Sequence, residues 1–377
     1  MGISLAGFEK LKEYFREVYG SGAEILRVVE LTSGREKSGK ELKGFGYGVP
    51  YLIEVSVNGG VKRIVLETIR PSGFGHEHFS DRAQILLWQH SAFNSLPKHV
   101  RSIDVGAFTS SGALKSLGDC REFFIVTEFV EGKPYYLDLE EIKARGRLSD
   151  LDVERCLALS DYLVEVHSVK GVGLEHLYIR RVRELIGHGE CIMGLIDSYP
   201  QGLDYASEET LMEIERKCVE WRWKLKKKAY RCARVHGDFH PWNILFREGT
   251  DFTVLDRSRG EWGEPADDLA AITINYLFYS LQAYGEIKDP FKKLFETFWE
   301  NYLNKTGDEE ILTVIQPYYA WRGLVIASPI WYPNLLVEVR SMIFTFMRNI
   351  LDVKRVDYKN ILDFTGKSKI LESNKNL

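Results

Sequence analysis

The chain has 377 residues, of which 45% are apolar and 28% charged, a balance that excludes disordered, collagen-like and coiled-coil classes. Its 50 basic and 54 acidic side chains leave a formal charge of -4, so the overall balance marks neither a nucleic-acid nor an anionic-membrane partner. The five cysteines are scattered and never form a CxxC pair, which supports neither a disulfide framework nor a zinc site.

The opening residues lack a basic stretch ahead of a long apolar block, so they do not read as a secretory leader. The charge-free run from Gly323 to Val337 is broken by Pro329 and Pro333 and is too short for a membrane span. The expectation is a cytoplasmic protein with no membrane partner; the sequence leaves its oligomeric state open.

Helical spacing over 8–18 is followed by strand-like runs at 25–31, 51–57 and 63–69, the last two joined by the hairpin signal Asn58-Gly59-Gly60. Ser80 is placed to cap a helix that reaches about Ser95 before Pro97. A further strand pair is expected between 105–108 and 123–129. The first third therefore reads as a small sheet with a helix across it. From about Asp138 the spacing turns helical, with Ser149 capping a helix over 149–169 and others over 208–230, 265–284 and 290–302. A tight hairpin, 243–246 against 252–255, interrupts them, and the polar tail over 367–377 reads as frayed. The fold class is α+β.

The chemistry concentrates in Val235-His236-Gly237-Asp238-Phe239-His240-Pro241-Trp242-Asn243, followed beyond the hairpin by Leu255-Asp256. One carboxylate on a loop, an amide five residues later and a second carboxylate past a hairpin are the parts that metal-assisted phosphoryl transfer requires. Asp238 is placed to accept a substrate hydroxyl proton, and Asn243 and Asp256 are oxygen ligands suited to magnesium against the phosphates of ATP. The competing reading is a plain braced turn.

His-Gly-Asp, four residues and Asn resembles the signature of aminoglycoside phosphotransferase and choline kinase-like enzymes, which share the protein-kinase fold. At average residue usage those identities arise by chance in roughly one chain in a thousand of this length, and Gly263-Glu264-Pro265-Ala266-Asp267-Asp268-Leu269-Ala270 extends the match. The resemblance implies two lobes: a small antiparallel-sheet nucleotide-binding lobe over 1–129 and a mainly helical catalytic and acceptor-binding lobe over 130–377. It implies ATP and magnesium as cofactors, Asp238 as base, and Asn243 and Asp256 as metal ligands. His236 and Asp268 become supports of the catalytic loop, and His167 a packing residue. The backbone of Glu128, Phe129 and Val130 becomes the adenine contact. Gly44, Gly46 and Gly48 sit where a phosphate-covering loop belongs.

The sequence departs from the family on the third strand. Where a Lys is expected it carries Glu67, and where the following helix should carry a Glu it carries Arg82. A reversed pair, with Arg82 on the phosphates and Glu67 orienting it, is one reading; Arg63 as a substitute cation and impaired phosphate binding are the others. The acceptor is expected to be a small molecule held among the aromatic-rich C-terminal helices, with His240, Trp321 and Arg322 as candidate contacts. An aminoglycoside tends to require a strongly acidic pocket in this family, and Asp267, Glu286 and Glu300 are no more than candidates for one, so that substrate class is not favoured. Two alternatives to a small-molecule kinase stay open. One is a catalytically impaired nucleotide-binding protein acting through a partner. The other is a protein Ser/Thr kinase, against which the lack of an Ala-Pro-Glu segment argues.

Overall fold

The computed structural model describes residues 5–31 and 48–365. The chain divides into two compact units, Met1–Thr127 and Glu128–Leu377. Among the described residues no helix is long and apolar enough to cross a membrane.

In the first unit, α1 (Leu5–Tyr19) precedes β1 (Glu24–Glu30), β2 (Gly48–Val57) and β3 (Gly60–Ile69), an antiparallel sheet in the order β1-β2-β3. Asn58 and Gly59 both take positive φ, 50° and 81°, which gives the hairpin a turn matching the twist of its strands. Alternate residues of a strand share a face, so Ile53 and Val55 of β2 point together at Leu11 and Phe15 of α1 and make this unit's core. Each such side chain contributes roughly 1.5–3 kcal/mol through burial.

The second helix, α2 (Phe79–Phe93), begins one residue before the expected cap, because the backbone N–H of His78 bonds Asp81 Oδ2 at 2.7 Å. No residue of α2 is buried, so the helix that packs on the sheet is α1. The expected pairing of 105–108 with 123–129 is not formed. Instead β4 (Gly106–Phe108) pairs with β5 (Leu114–Ser116), closed by Thr109 N–H on Ala113 C=O at 2.7 Å and by Gly112 at φ 79°. The nearer partner closes a much shorter loop at lower entropy cost, and 123–129 has no strand partner among the described residues.

The second unit runs β6 (Lys133–Pro134), α3 (Tyr135–Arg145), α4 (Asp150–Ser168), α5 (Glu175–Gly187), α6 (Ile192–Ser198) and α7 (Glu208–Leu225). After it come β7 (Ala233–Arg234), β8 (Ile244–Phe246), β9 (Phe252–Val254) and β10 (Trp262–Gly263), then α8 (Ala266–Tyr284), α9 (Phe291–Thr306), α10 (Gln316–Ala327) and α11 (Val337–Asp352). Ser149 and Asp152 exchange bonds across the start of α4 as a capping box. The helix expected over 208–230 ends at Leu225 and tightens into a 3-10 turn. That turn delivers Arg231 to the buried Glu264.

Every residue of α8 from Ala266 to Leu281 is buried, and the helix packs against α3, α9, α10 and α11. Trp299, Tyr302, Tyr318, Tyr319 and Trp321 are at most 1% exposed. The aromatic density read as a pocket lining is this unit's core.

Candidate active site

Two short ladders set the loop over 235–243. Arg234 of β7 pairs with Trp262 of β10, Val235 N–H extends that pairing to Glu261 C=O at 3.0 Å, and β8 pairs with β9 at the other end. Gly237 turns the loop at φ 86°, a conformation that side chains disfavour, and a Cβ there would lie 3.3 Å from Arg259 Cβ. The turn is held from below by Asp268, in the first turn of α8. Its Oδ2 accepts His236 N–H and its Oδ1 accepts Gly237 N–H, both at 2.7 Å, while His167 Nε2 lies 3.0 Å from Oδ2. Tyr302 O–H in turn meets His167 Nδ1 at 2.9 Å, so His167 is a hydrogen-bonded brace as well as a packed side chain. Burial opposes ionisation of Asp268, but His167, His236 and the loop amide outweigh it and hold the carboxyl below its usual range.

Asp238 crowns this turn. Its Oδ1 accepts Arg322 Nη1–H at 2.5 Å; its Oδ2 lies 3.6 Å from His240 Nε2 and 3.8 Å from Arg259 Nε. Arg322, from α10, also donates to Gly237 C=O at 3.1 Å and to Asp267 Oδ1 at 3.0 Å, and Asp267 receives Arg181 as well. Burial pushes the Asp238 carboxyl up, yet the Arg322 charge, helped by His240 and Arg259, prevails and keeps it below the ordinary range. Asp238 is therefore an ionised carboxylate with one oxygen committed to Arg322 and the other facing His240 and Arg259 beyond hydrogen-bond distance.

His240 accepts Trp242 N–H on Nδ1 at 3.2 Å, which puts its proton on Nε2, the nitrogen facing Asp238. Burial pushes this imidazole down to about 4 against the pull of Asp238, and the Arg322 and His236 charges add to the fall. It is neutral at physiological pH. His236 accepts Asp238 N–H on Nδ1 at 3.3 Å, in keeping with a bracing role, and its Nε2 is buried without a partner.

Asn243 and Asp256 flank the β8–β9 hairpin. Leu255 N–H bonds Asn243 C=O at 2.8 Å, which ties the two positions together. Asp256 takes φ 55°, a left-handed conformation that Asp tolerates better than most side chains, and it makes no hydrogen bond or ion pair among the described residues. Asn243 spends its amide N–H on Asp238 C=O at 3.1 Å, leaving its side-chain oxygen available. Two hard oxygen donors fit magnesium, which takes few protein ligands and completes its shell with water and phosphate. Among the described residues no three His, Cys, Asp or Glu side chains gather as a metal site. A cavity of about 630 Å³ opens beside the loop, lined in part by Tyr162, Glu165, His236, Asp256 and Arg257.

The other expected site residues lie apart from this cluster in the chain. Glu128, Phe129 and Val130 form an irregular stretch, and Gly44 and Gly46 lie outside the described residues. Gly48 opens β2, where a Cβ would fall 1.7 Å from Glu67 Oε1, so its bare backbone makes room for that carboxylate. Arg82 donates to the carbonyls of His76 at 2.8 Å, Glu77 at 3.3 Å and His78 at 2.9 Å. No ion pair joins Glu67 to Arg82 among the described residues, because α2 does not pack on β3. Arg63 pairs instead with Glu54 at 3.1 Å. Of the acceptor candidates, Trp321 is buried beneath two guanidinium groups, with Arg322 Cζ 3.8 Å and Arg259 Cζ 5.2 Å from its ring centre. Arg322 is a direct partner of Asp238.

Three supports escaped the sequence reading. Arg257 donates to Val235 C=O from Nε at 3.0 Å and Nη2 at 2.8 Å, lashing the segment after Asp256 to the catalytic loop. Arg231 grips Glu264 with both Nε and Nη2, and Tyr178 O–H adds a bond at 2.8 Å. Arg259 lies between Asp238 and Glu190. Only the dense charge over 256–264 hinted at them.

Residues 95–288, more than half the chain, match the phosphotransferase enzyme family, and the fold is its α+β, protein-kinase-like fold. Solved structures similar to the chain include a glucosamine kinase in complex with glucosamine, ADP and inorganic phosphate, 15% identical with a TM-score of 0.39. That alignment spans 55% of this chain and 59% of the kinase. A choline kinase from Cryptosporidium parvum Iowa II is 13% identical over 96% of this chain and 92% of its own, with a TM-score of 0.31. An amicoumacin kinase in complex with AMP-PNP and Ca2+ is 14% identical over 83% and 89%, with a TM-score of 0.38. No curated protein matches the chain.

Proposed function

The chain belongs to the phosphotransferase enzyme family, and we propose that it transfers the γ-phosphoryl group of ATP, with magnesium, to a hydroxyl of a small-molecule acceptor. The observation that carries this reading is the buried, ionised Asp238, with one oxygen outside any hydrogen bond among the described residues, on a loop that also fixes Asn243 and Asp256. The acceptor hydroxyl donates to Asp238 Oδ2. Its oxygen forms the new bond to the γ-phosphorus as the bond from that phosphorus to the β-phosphate oxygen breaks; the proton passes to Asp238, and ADP leaves. A carboxylate held below its usual range is a weak base, so Asp238 acts chiefly by orienting the hydroxyl, and takes the proton late, once the forming P–O bond has made it acidic. Asn243 and Asp256 would hold magnesium, which when bound would supply neutralising charge to the phosphates. Arg322 keeps the base ionised and aimed, and the paired amides on Asp268 keep the loop from relaxing.

Glu67 in place of a phosphate-binding Lys, with Arg82 engaged by three carbonyls, favours a second reading in which nucleotide binds but chemistry is impaired. Thermal-shift titration with ATP and GTP, with and without magnesium, tests both on the wild type, Asp256→Ala and Arg82→Ala. A magnesium-dependent shift lost in Asp256→Ala supports the nucleotide site, and ADP release that vanishes in Asp238→Asn while the shift persists supports catalysis. A shift without turnover on any acceptor favours the second reading, and no shift with either nucleotide sinks both.

A further inference from the structure

We infer that the acceptor is a hydroxylated carboxylic acid, whose carboxylate is gripped by Arg259 in the place that Glu190 now holds. The inference rests on the phosphotransferase reading above and narrows its substrate class. It begins from what surrounds Asp238. The groups within 4 Å of its carboxylate include Arg322, Arg259 and a neutral His240, two of them cations. Three of the acidic side chains that could receive a cationic amino acceptor are engaged elsewhere. Asp267 is spent on Arg181 and Arg322, Glu286 pairs with Lys288 at 2.9 Å, and Glu300 lies 3.9 Å from Lys359.

The two guanidinium groups differ in how replaceable their partners are. Arg322 is 8% exposed and makes three hydrogen bonds within the loop and to α8, so it stays where it is. Arg259 has one hydrogen-bonded partner, the Glu190 carboxylate at 2.9 Å, and Glu190 is 63% exposed on the loop after α5. A pair of that kind is worth roughly 0–1 kcal/mol, so a ligand carboxylate can take its place at little cost. A bidentate grip on guanidinium then tips the exchange toward the ligand. Arg259 Nε is buried with no hydrogen-bond partner among the described residues, a donor still to be used.

Position sets the chemistry of the ligand. Arg259 Nε lies 3.8 Å from Asp238 Oδ2 while its Nη1 holds the Glu190 carboxylate, so a single guanidinium bridges the proton acceptor and the anion site. The phosphorylated hydroxyl and the carboxylate of the acceptor are therefore only a few bonds apart. Trp321 fixes this arrangement: its face carries both arginines and its Nε1–H bonds Glu190 C=O at 3.0 Å. The carboxylate itself undergoes no chemistry.

The test uses the full chain with magnesium and ATP, following ADP release with D-glycerate, D-gluconate, glucosamine and choline as acceptors. Thermal shifts are recorded for magnesium-ATP and for each acid alone. Transfer to an acid, with KM raised at least tenfold in Arg259→Gln and lowered in Glu190→Gln, supports the inference. Arg259→Lys, which keeps the charge but loses the fork, should lie between, and the exposed Glu190 provides a second arm if Arg259→Gln does not fold. Transfer to glucosamine or choline but to neither acid overturns it, as does an acid KM that Arg259→Gln leaves unmoved. A magnesium-ATP shift with no transfer to an acid and no shift from either acid overturns this inference alone. Absence of both a magnesium-ATP shift and turnover overturns the phosphotransferase reading and the inference with it.

Discussion

Replacing Asp268 by Asn probes the support under the catalytic loop. The carboxylate receives three donors, His236 N–H and Gly237 N–H at 2.7 Å and His167 Nε2 at 3.0 Å, and is fully buried. Asn has one acceptor oxygen. In the Oδ2 position it retains His236 and His167 but turns an NH2 against Gly237 N–H; in the Oδ1 position it retains only Gly237. At least one bond to a charged acceptor, worth about 1.5–3 kcal/mol, is lost, a buried N–H is left unmatched, and the surviving bonds weaken from charged to neutral. The desolvation cost of the carboxylate is recovered, but its depressed pKa shows that the bonds outweigh that cost. The net expectation is about 2–4 kcal/mol of local stability. Because two units make a global unfolding energy ambiguous, the assay is amide hydrogen exchange on a peptide covering 235–239. Exchange there should accelerate by roughly thirty- to a thousandfold, while α11, remote from the loop, is unchanged. His167→Leu, which removes one of the three donors, should have a smaller effect on the same peptide. Unchanged protection of 235–239 in Asp268→Asn would refute the view that this carboxylate holds the turn.

Two further outcomes follow from the charges around Asp238. In Arg322→Gln the largest influence opposing the effect of burial is removed, so the Asp238 carboxyl should titrate higher than in the wild type. Arg322→Lys should restore most of the difference; carboxyl 13C NMR, with Asp238→Asn assigning the resonance, reads it without any acceptor. His240 has a folded pKa of about 4 against an ordinary 6.5, so between those values the unfolded chain binds the extra proton. Stability should therefore rise with pH from about 4 to 6.5 and level off above, with His240 contributing about 1–3 kcal/mol. His240→Gln should flatten that part of a stability–pH curve, and an unaltered slope would count against a buried neutral imidazole.

What the sequence disclosed depended on how local each signal was. The hairpin at Asn58-Gly59, the cap at Ser149 and the loop from His236 to Asn243 rest on neighbours in the chain, and each formed where its residues placed it. The pairing of 105–108 failed because a closer strand was available, a competition that propensity alone does not rank. The aromatic C-terminal helices left two readings open: Trp and Tyr at helical spacing are more often core than pocket lining, and the packing around α8 puts Trp299, Tyr302, Tyr318, Tyr319 and Trp321 in the core.

The same distinction explains the site. Motif spacing picked out Asp238, Asn243 and Asp256 as the proposed reacting groups, but not the pairing of Asp238 with Arg322, because Arg322 reaches Asp238 across 84 residues of chain and no spacing rule links them. That contact matters for specificity as well as for the base. A guanidinium that fixes one oxygen of Asp238 leaves only the other for an acceptor, and Arg259 stands on that side. An ammonium group approaching there would meet a cation before it met the carboxylate, at a cost that falls off slowly in a partly buried site. An acid approaching the same point finds a donor with one exposed, exchangeable partner. On the proposed reading, the arrangement would select against the charge of amino acceptors at the same place where it would prepare the hydroxyl for transfer.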